Sequence, residues 1–74
     1  MSQETLEQKL ANNLRKRRGQ RTQGEYAKRL GISRPTLNRL ESAGQNTTLK
    51  TLNILVKSLK CDIGELFTED PEQG

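Results

Sequence analysis

The stretch TQGEYAKRLGISRPTLNRLE, residues 22–41, decides the fold of this 74-residue chain. Its pattern predicts two short helices joined by a sharp turn at Leu30, Gly31 and Ile32. Thr22 is a favourable N-cap for the first helix, and Glu25, three residues later, completes a capping box. Gly31 tolerates the left-handed backbone conformation that ends a helix and redirects the chain.

The second helix of this pair has its own start signal. Ser33 is the predicted N-cap, and Pro35 falls in the first turn, where a missing N–H has no consequence. Leu37 and Leu40 form the inward face of the helix. Two helices connected in this way are typical of a helix-turn-helix, whose second helix enters the major groove of DNA.

Helices are also predicted before and after the pair. Leu6, Leu10 and Leu14 recur every four residues and mark the inward face of a first helix over about residues 4–18. Gly44 is the predicted stop of the third helix. Thr48 then caps a fourth helix over about residues 49–60. The apolar stripe of this fourth helix is expected to face the core, and its members are Leu49, Leu52, Leu55, Val56 and Leu59.

Near the C-terminal end, Asp62 and Glu65 form a second potential capping box, which opens a short fifth helix through Phe67. The expected fold is therefore all-α, a compact bundle of five short helices that contains a helix-turn-helix. We expect one domain over residues 1–67 and a flexible acidic tail over residues 68–74.

Charge is distributed unevenly along the chain, although the net charge is only +4. Between Lys9 and Arg39 there are ten Lys or Arg residues and one acidic residue, Glu25. From Cys61 onward there are five acidic residues and no basic one. This asymmetry favours a polyanion as the partner. Basic charge by itself, however, is equally compatible with an ordinary solvated surface.

Composition argues against several other classes of protein. The longest apolar run, residues 54–56, is far too short to cross a membrane. With no histidine and the single Cys61, the sequence offers no metal-ligand spacing, no disulfide framework and no catalytic constellation. We therefore expect a non-enzymatic protein without metal or cofactor. A lone cysteine fits a reducing cytoplasm, with Cys61 as a buried structural thiol.

The outward face of the second motif helix carries side chains that match the edges of bases. Arginine can donate two hydrogen bonds to guanine, asparagine can pair with adenine in the same way, and Pro35 offers apolar contact to a thymine methyl group. With Leu37 and Leu40 inward, the predicted base-contacting residues are Arg34, Pro35, Thr36, Asn38 and Arg39.

Other polar and basic side chains are placed to contact phosphates. Gln23 and the first amides of its helix form a natural anion site. The basic run at residues 15–18 either stabilises the end of the first helix through the helix dipole or contacts DNA. For the neutral residues, capping or solvation is an equally good explanation. The predicted phosphate-contacting residues are Gln23, Ser33, Ser42, Arg15, Lys16, Arg17, Arg18, Arg21 and Asn46.

Taken together, these segments resemble the lambda Cro and phage-repressor class of helix-turn-helix proteins, the XRE-like family. The resemblance covers about residues 10–67 and rests on TQxEYAxxLGIS, TLxRLE, TLxTLxxL and DIGELF. It implies a five-helix, lambda-repressor-like DNA-binding domain that docks as a two-fold dimer and regulates transcription. By position, Gln23 matches the family's phosphate-contacting glutamine, and Ser42 matches a backbone-contacting position. Three residues match its base-contacting positions, namely Arg34, Pro35 and Arg39.

We therefore expect a sequence-specific double-stranded DNA-binding regulator, a repressor that acts as a homodimer on a palindromic operator in the bacterial cytoplasm, associated with the nucleoid. Two alternatives stay open on sequence alone. One is the antitoxin of a toxin–antitoxin pair, which would autoregulate its operator and use the acidic tail to dock a basic toxin. The other is a helix-turn-helix bundle that only makes protein–protein contacts.

Overall fold

The computed structural model describes residues 5–42 and 47–69 of the chain. These residues form four α-helices followed by a 3-10 helix. The elements are α1 Leu6–Arg18, α2 Gln23–Leu30, α3 Arg34–Glu41, α4 Leu49–Leu59 and the C-terminal 3-10 helix Ile63–Phe67. The expected compact, all-helical bundle is thus confirmed. Within the described residues, no helix has the length and apolar character needed to span a membrane.

The prediction of a fifth α-helix was wrong. Residues 63–67 are instead a 3-10 helix, in which the amide of Glu65 donates to the carbonyl oxygen of Asp62 at 3.0 Å. The carboxylate of Glu65 also accepts a hydrogen bond from the amide of Asp62, as expected from the capping pattern. A segment of five residues is too short for more than one α-helical turn, and the tighter i to i+3 geometry is common in such short pieces.

Hydroxyl side chains start the helices of the motif where the sequence placed them. The Thr22 hydroxyl accepts from the amide of Glu25 at 3.1 Å, and the Ser33 hydroxyl accepts from the amide of Thr36 at 3.2 Å. Gly31 ends α2 in the left-handed conformation, with φ of 76°. These capping interactions fix both ends of the turn between α2 and α3.

Helix α1 begins later than predicted, at Leu6, because Thr5 and Gln8 form a reciprocal capping box. The predicted stop of α3 at Gly44 lies outside the described residues. The helix itself ends at Glu41, with Ser42 as its C-cap.

The core is formed by apolar side chains from every helix. Helix α1 packs on α3 and on the 3-10 helix, while α2 packs on α3 and α4. The fully packed set is Leu10, Leu14, Tyr26, Ala27, Leu30, Leu37, Leu40, Leu55 and Leu66. Because the apolar faces of both motif helices pack in this core, their polar faces lie at the surface.

Two leucines assigned to the core by their spacing are exposed. Leu6 is 64% exposed and Leu49 is 83% exposed. Each is the first residue of its helix and directly follows a capping threonine. They therefore lie at helix ends, where fewer neighbouring elements can cover them. Of the predicted α4 stripe, only Leu55 is fully buried.

A buried asparagine fastens the C-terminal segment to α1. The Asn13 amide nitrogen donates to the carbonyl oxygens of Glu65, at 2.8 Å, and Thr68, at 3.0 Å. The Lys16 ammonium also donates to the carbonyl oxygen of Glu69. The first two residues of the predicted flexible tail are thus in contact with α1, and residues 70–74 lie outside the described part of the chain.

Candidate nucleic-acid interface

Helix α3 has the orientation that the sequence predicted. Leu37 is fully buried and Leu40 is 7% exposed, so these two side chains anchor the helix to the core. On the opposite side, four of the predicted base-contacting residues are exposed, namely Arg34, Pro35, Asn38 and Arg39. The fifth, Thr36, is half-buried.

The two arginines of α3 project from this surface without partners. Neither the Arg34 nor the Arg39 guanidinium makes a hydrogen bond or an ion pair with any residue of the described chain. Arg34 stands at the first position of α3 and Arg39 two residues before its end. Both groups therefore keep all their N–H donors available, which is what two parallel hydrogen bonds to guanine require.

The hydroxyl groups at the two ends of α3 are already engaged. The Ser33 and Thr36 hydroxyl oxygens lie 2.7 Å apart, and Ser33 also caps the helix. The Ser42 hydroxyl donates to the carbonyl oxygen of Asn38 at 2.6 Å. To donate to a phosphate, Ser42 would have to rotate away from this carbonyl group. These neutral side chains are accordingly less available than the arginines.

A single carboxylate joins the three helices that build the site. Glu41, the last residue of α3, is 4% exposed. Its two oxygens accept from Arg18 Nε at 2.9 Å and Nη2 at 3.1 Å, and from Gln23 Nε2 at 3.0 Å. The Arg15 guanidinium donates to the backbone carbonyl oxygen of the same residue. The C-terminal end of α3 is thereby tied to both α1 and α2.

We did not predict this carboxylate network from the sequence, although the sequence contains one signal for it. Glu41 lies four residues after Leu37, so both must lie on the same, inward side of α3. A carboxylate in that position needs a cationic partner, because burying an unpaired charge is strongly unfavourable. Arg18 is this partner, and its guanidinium donates two hydrogen bonds to the carboxylate.

The basic run at residues 15–18 divides into groups with different roles. Arg17 is 5% exposed, and its Nε donates to Asn13 Oδ1 at 2.8 Å. Burial therefore removes Arg17 from the predicted phosphate-contacting residues. Arg18 is largely committed to Glu41. Arg15 and Lys16 are exposed, as is Arg21 after the end of α1.

The start of α2 offers backbone donors beside this basic surface. The first intrahelical bond of α2 runs from the amide of Tyr26 to the carbonyl oxygen of Thr22, at 3.0 Å. The amides of Gln23 and Gly24 precede it and lie at the positive end of the helix dipole. Gln23 is half-buried and keeps one N–H of its side chain beyond the bond to Glu41. Asn46, also predicted to contact phosphate, lies outside the described residues.

Two other titratable side chains do not have the character of reactive groups. Burial raises the pKa of the Tyr26 phenol, against the opposing effect of three nearby arginines. Burial also raises the pKa of the Cys61 thiol, which is half-buried rather than fully buried as expected. Both groups therefore stay protonated at neutral pH. Among the described residues, no cluster of acidic or cysteine side chains is placed to hold a metal ion.

Comparison with known protein families agrees with this geometry. A family model described as helix-turn-helix matches residues 13–66, which is more than half of the chain. No curated protein and no solved structure matches the sequence. The matched region begins within α1 and extends to the C-terminal 3-10 helix, so it includes the whole surface described above.

Proposed function

Because the chain belongs to the XRE/Cro-like helix-turn-helix family, we propose that it is a sequence-specific double-stranded DNA-binding regulator of transcription. One observation carries this proposal. Arg34 and Arg39 are exposed and unpaired within the described chain, on the side of α3 that lies opposite the buried Leu37 and Leu40. This is the surface that a helix-turn-helix inserts into the major groove.

In this proposal the exposed face of α3 reads bases. Arg34 and Arg39 each donate two hydrogen bonds to a guanine, and Asn38 pairs with an adenine. Pro35 contacts a thymine methyl group, and Thr36 assists from the edge of the surface. The role of Glu41 is different, since it is buried and touches no base: it holds the end of α3 against α1 and α2 through Arg18 and Gln23.

Phosphate contacts would then position α3 in the groove. The best-supported donors are the amides at the start of α2, the remaining N–H of the Gln23 side chain, and the exposed Arg21. Arg15 and Lys16 can add positive charge from the end of α1. Lys16 and Arg21 line the same shallow hollow between the end of α1 and the start of α2.

We further propose that the protein is a repressor that binds a palindromic operator as a homodimer. A two-fold dimer presents two copies of α3 to successive major grooves, about 34 Å apart on one face of DNA. Occupancy of a promoter by such a dimer would block transcription. The cytoplasm of a bacterium, at the nucleoid, is the compartment in which this function would operate.

Selection of bound duplexes from a random pool tests the proposal. The wild-type protein should enrich a palindrome whose half-sites are centred about one helical turn apart. The matched control is the Arg34→Ala/Arg39→Ala variant, which leaves the buried face of α3 intact and should lose enrichment at specific positions of each half-site. A wild-type pool that stays random, with a folded protein, would contradict base reading and favour a role in protein–protein contacts.

A further inference from the structure

Glu25 is an acidic residue among basic ones, and it is the single Asp or Glu within residues 9–39. Its side chain is exposed and lines two neighbouring hollows of the described structure. The first is the hollow that Lys16 and Arg21 share, next to the proposed phosphate contacts. The second lies beside Arg34, the first residue of α3. Glu25 therefore stands between the phosphate-contacting and the base-reading parts of the proposed interface.

The carboxylate of Glu25 has no partner within the described chain. The predicted capping box at the start of α2 is only half formed there. The amide of Glu25 donates to the Thr22 hydroxyl, but the amide of Thr22 makes no bond back to the carboxylate. The carboxylate forms no ion pair with a described residue either. An unpaired carboxylate on a DNA-binding surface repels phosphates, so a cationic partner in the complex is needed to offset that repulsion.

We propose that Glu25 is a positioning residue, which orients the Arg34 guanidinium for base reading. The proposal rests on the proposed function and adds to it a further residue on which specificity depends. Glu25 and Arg34 line the same hollow, between the first turn of α2 and the first residue of α3. Neither charged group has another partner in the described chain, so both are available to each other.

An arginine has enough donors to bind a base and a carboxylate at the same time. Two of its five N–H groups pair with O6 and N7 of a guanine, and the others remain for a charge-assisted pair. Such a pair restricts the plane of the guanidinium, so Arg34 loses less conformational freedom when it binds the base. Ala27 and Ile32 also line the hollow. Once DNA excludes water from this partly apolar site, the attraction between Glu25 and Arg34 becomes stronger.

Two other cations lie near Glu25, and each is a weaker candidate for its partner. Lys28 lines the same hollow, three residues further along α2. An exposed pair at that spacing contributes little, and a lysine ammonium does not fix the geometry of a carboxylate in a two-bond pair. Arg21 lines the other hollow, and its guanidinium already donates to the carbonyl oxygen of Arg17 at 3.3 Å. Arg34 alone among the three combines a free guanidinium with a place on the base-reading face.

Binding of the full chain to two duplexes, at one salt concentration, tests the proposal. The duplexes are the palindrome that the wild type selects and a random sequence of equal length. Glu25→Gln keeps the size of the side chain and removes its charge. It should weaken binding to the palindrome by about tenfold per half-site. Binding to the random duplex should be unchanged or tighter, since one negative charge fewer faces the phosphates. Equal losses on both duplexes, or no loss on either, would limit Glu25 to stabilising α2 and overturn the proposal.

A double-mutant cycle identifies the partner of Glu25. In the Arg34→Ala background, Glu25→Gln should no longer change the ratio of the two affinities, because the group that Glu25 positions is absent. Lys28→Gln is the matched control, since it removes an exposed cation from the same hollow. In that background Glu25→Gln should lower the ratio as much as in the wild type. An effect that disappears with Lys28→Gln would overturn the proposal. An undiminished effect with Arg34→Ala would also overturn it and indicate that Glu25 accepts directly from a base such as cytosine.

Failure of this proposal can be distinguished from failure of the proposed function. A folded wild-type protein that selects no sequence would overturn the proposed function, and the role of Glu25 with it. A wild type that selects a palindrome, with Arg34→Ala losing the preference and Glu25→Gln keeping it, would overturn the role of Glu25 alone. Circular dichroism should show native helix content in every variant, because the three substituted side chains are exposed.

Discussion

Replacing Glu41 with alanine should weaken the whole domain, because this carboxylate connects three helices. The side chain is 4% exposed and accepts three hydrogen bonds from Arg18 and Gln23, at 2.9, 3.1 and 3.0 Å. Truncation removes the acceptor for all three. It also leaves the Arg18 guanidinium without its counter-charge, next to the end of α3.

The size of the effect follows from the burial of the two partners. Removing one member of a buried ion pair costs about 3–5 kcal/mol when the other charge stays buried. The Arg18 side chain is 25% exposed and can recover some hydration, which favours a loss near the lower limit, about 3 kcal/mol. For a domain of this size, a loss of about 3 kcal/mol lowers the Tm by about 12–24 °C.

Thermal and urea unfolding followed by circular dichroism measure this loss. Glu25→Ala is the matched control, since it removes an exposed carboxylate from the first turn of α2 and should cost less than about 1 kcal/mol. The urea m-value should be unchanged for both variants if unfolding remains two-state. A Glu41→Ala variant as stable as the control would refute the reasoning.

A double-mutant cycle separates the ion pair from other effects of the substitution. Arg18→Met keeps much of the length of the side chain and removes the donors to Glu41. Combined with Glu41→Ala, it should destabilise the protein by less than the two single changes added together, with a coupling of about 1–3 kcal/mol. Strict additivity would show that the two residues do not stabilise the fold through each other.

Asn13→Ala should cost about 2–3 kcal/mol in unfolding free energy, since it removes the donor to the carbonyl oxygens of Glu65 and Thr68 and leaves the buried Arg17 Nε without its acceptor, whereas Asn38→Ala on the exposed face of α3 should have little effect. Gly19→Ala should be more destabilising than Gly31→Ala in the same assay. The backbone of Gly19, with φ of 59° and ψ of −125°, lies outside the left-handed helical region. The backbone of Gly31 lies within that region, so its replacement should cost only about 1–2 kcal/mol. Tyr26→Phe should leave stability at neutral pH unchanged or higher, because the Tyr26 hydroxyl is buried with no hydrogen-bond partner in the described chain. Since the native phenol has a raised pKa, the wild type should lose stability above about pH 10, and pH titration of unfolding should show a smaller loss for the phenylalanine variant.

Local chemistry made the helix-turn-helix predictable from sequence. Thr22 and Ser33 are caps whose partners lie three residues away, and Gly31 permits the turn by itself. The orientation of α3 followed from Leu37 and Leu40, because a helix of eight residues with two inward leucines has one way to face the core. Such features depend on neighbours in the chain and need no knowledge of the tertiary fold.

The polar interior was harder to predict, because its partners are far apart in sequence. Arg18 and Glu41 are separated by 23 residues, and Asn13 and Glu65 by 52. Helical spacing still indicated part of this arrangement, since Asn13 and Arg17 lie on the same buried face of α1 as Leu10. Assigning all four residues of the run at 15–18 to phosphate contact overlooked that a helix rotates by about 100° per residue.

The exposed apolar residues show that helical periodicity can also predict burial where a side chain is exposed. Leu6 and Leu49 fit the apolar spacing of their helices, yet both lie in the first turn, beyond the reach of the packed layers. Spacing assigns a residue to a side of a helix. It does not tell how far along the helix the neighbouring elements extend, and that length decides which leucines stay exposed.

The central claim is that the outward face of α3 reads bases, and its most direct measurement compares affinities on two duplexes. Arg39→Ala should weaken binding to the selected palindrome by about 1–3 kcal/mol per half-site, with a much smaller loss on random duplex. Arg21→Ala, which removes a proposed phosphate contact, should weaken binding to both duplexes by the same factor. If Arg39→Ala behaves like Arg21→Ala, with equal losses on both duplexes, the account of α3 as the base-reading helix is contradicted.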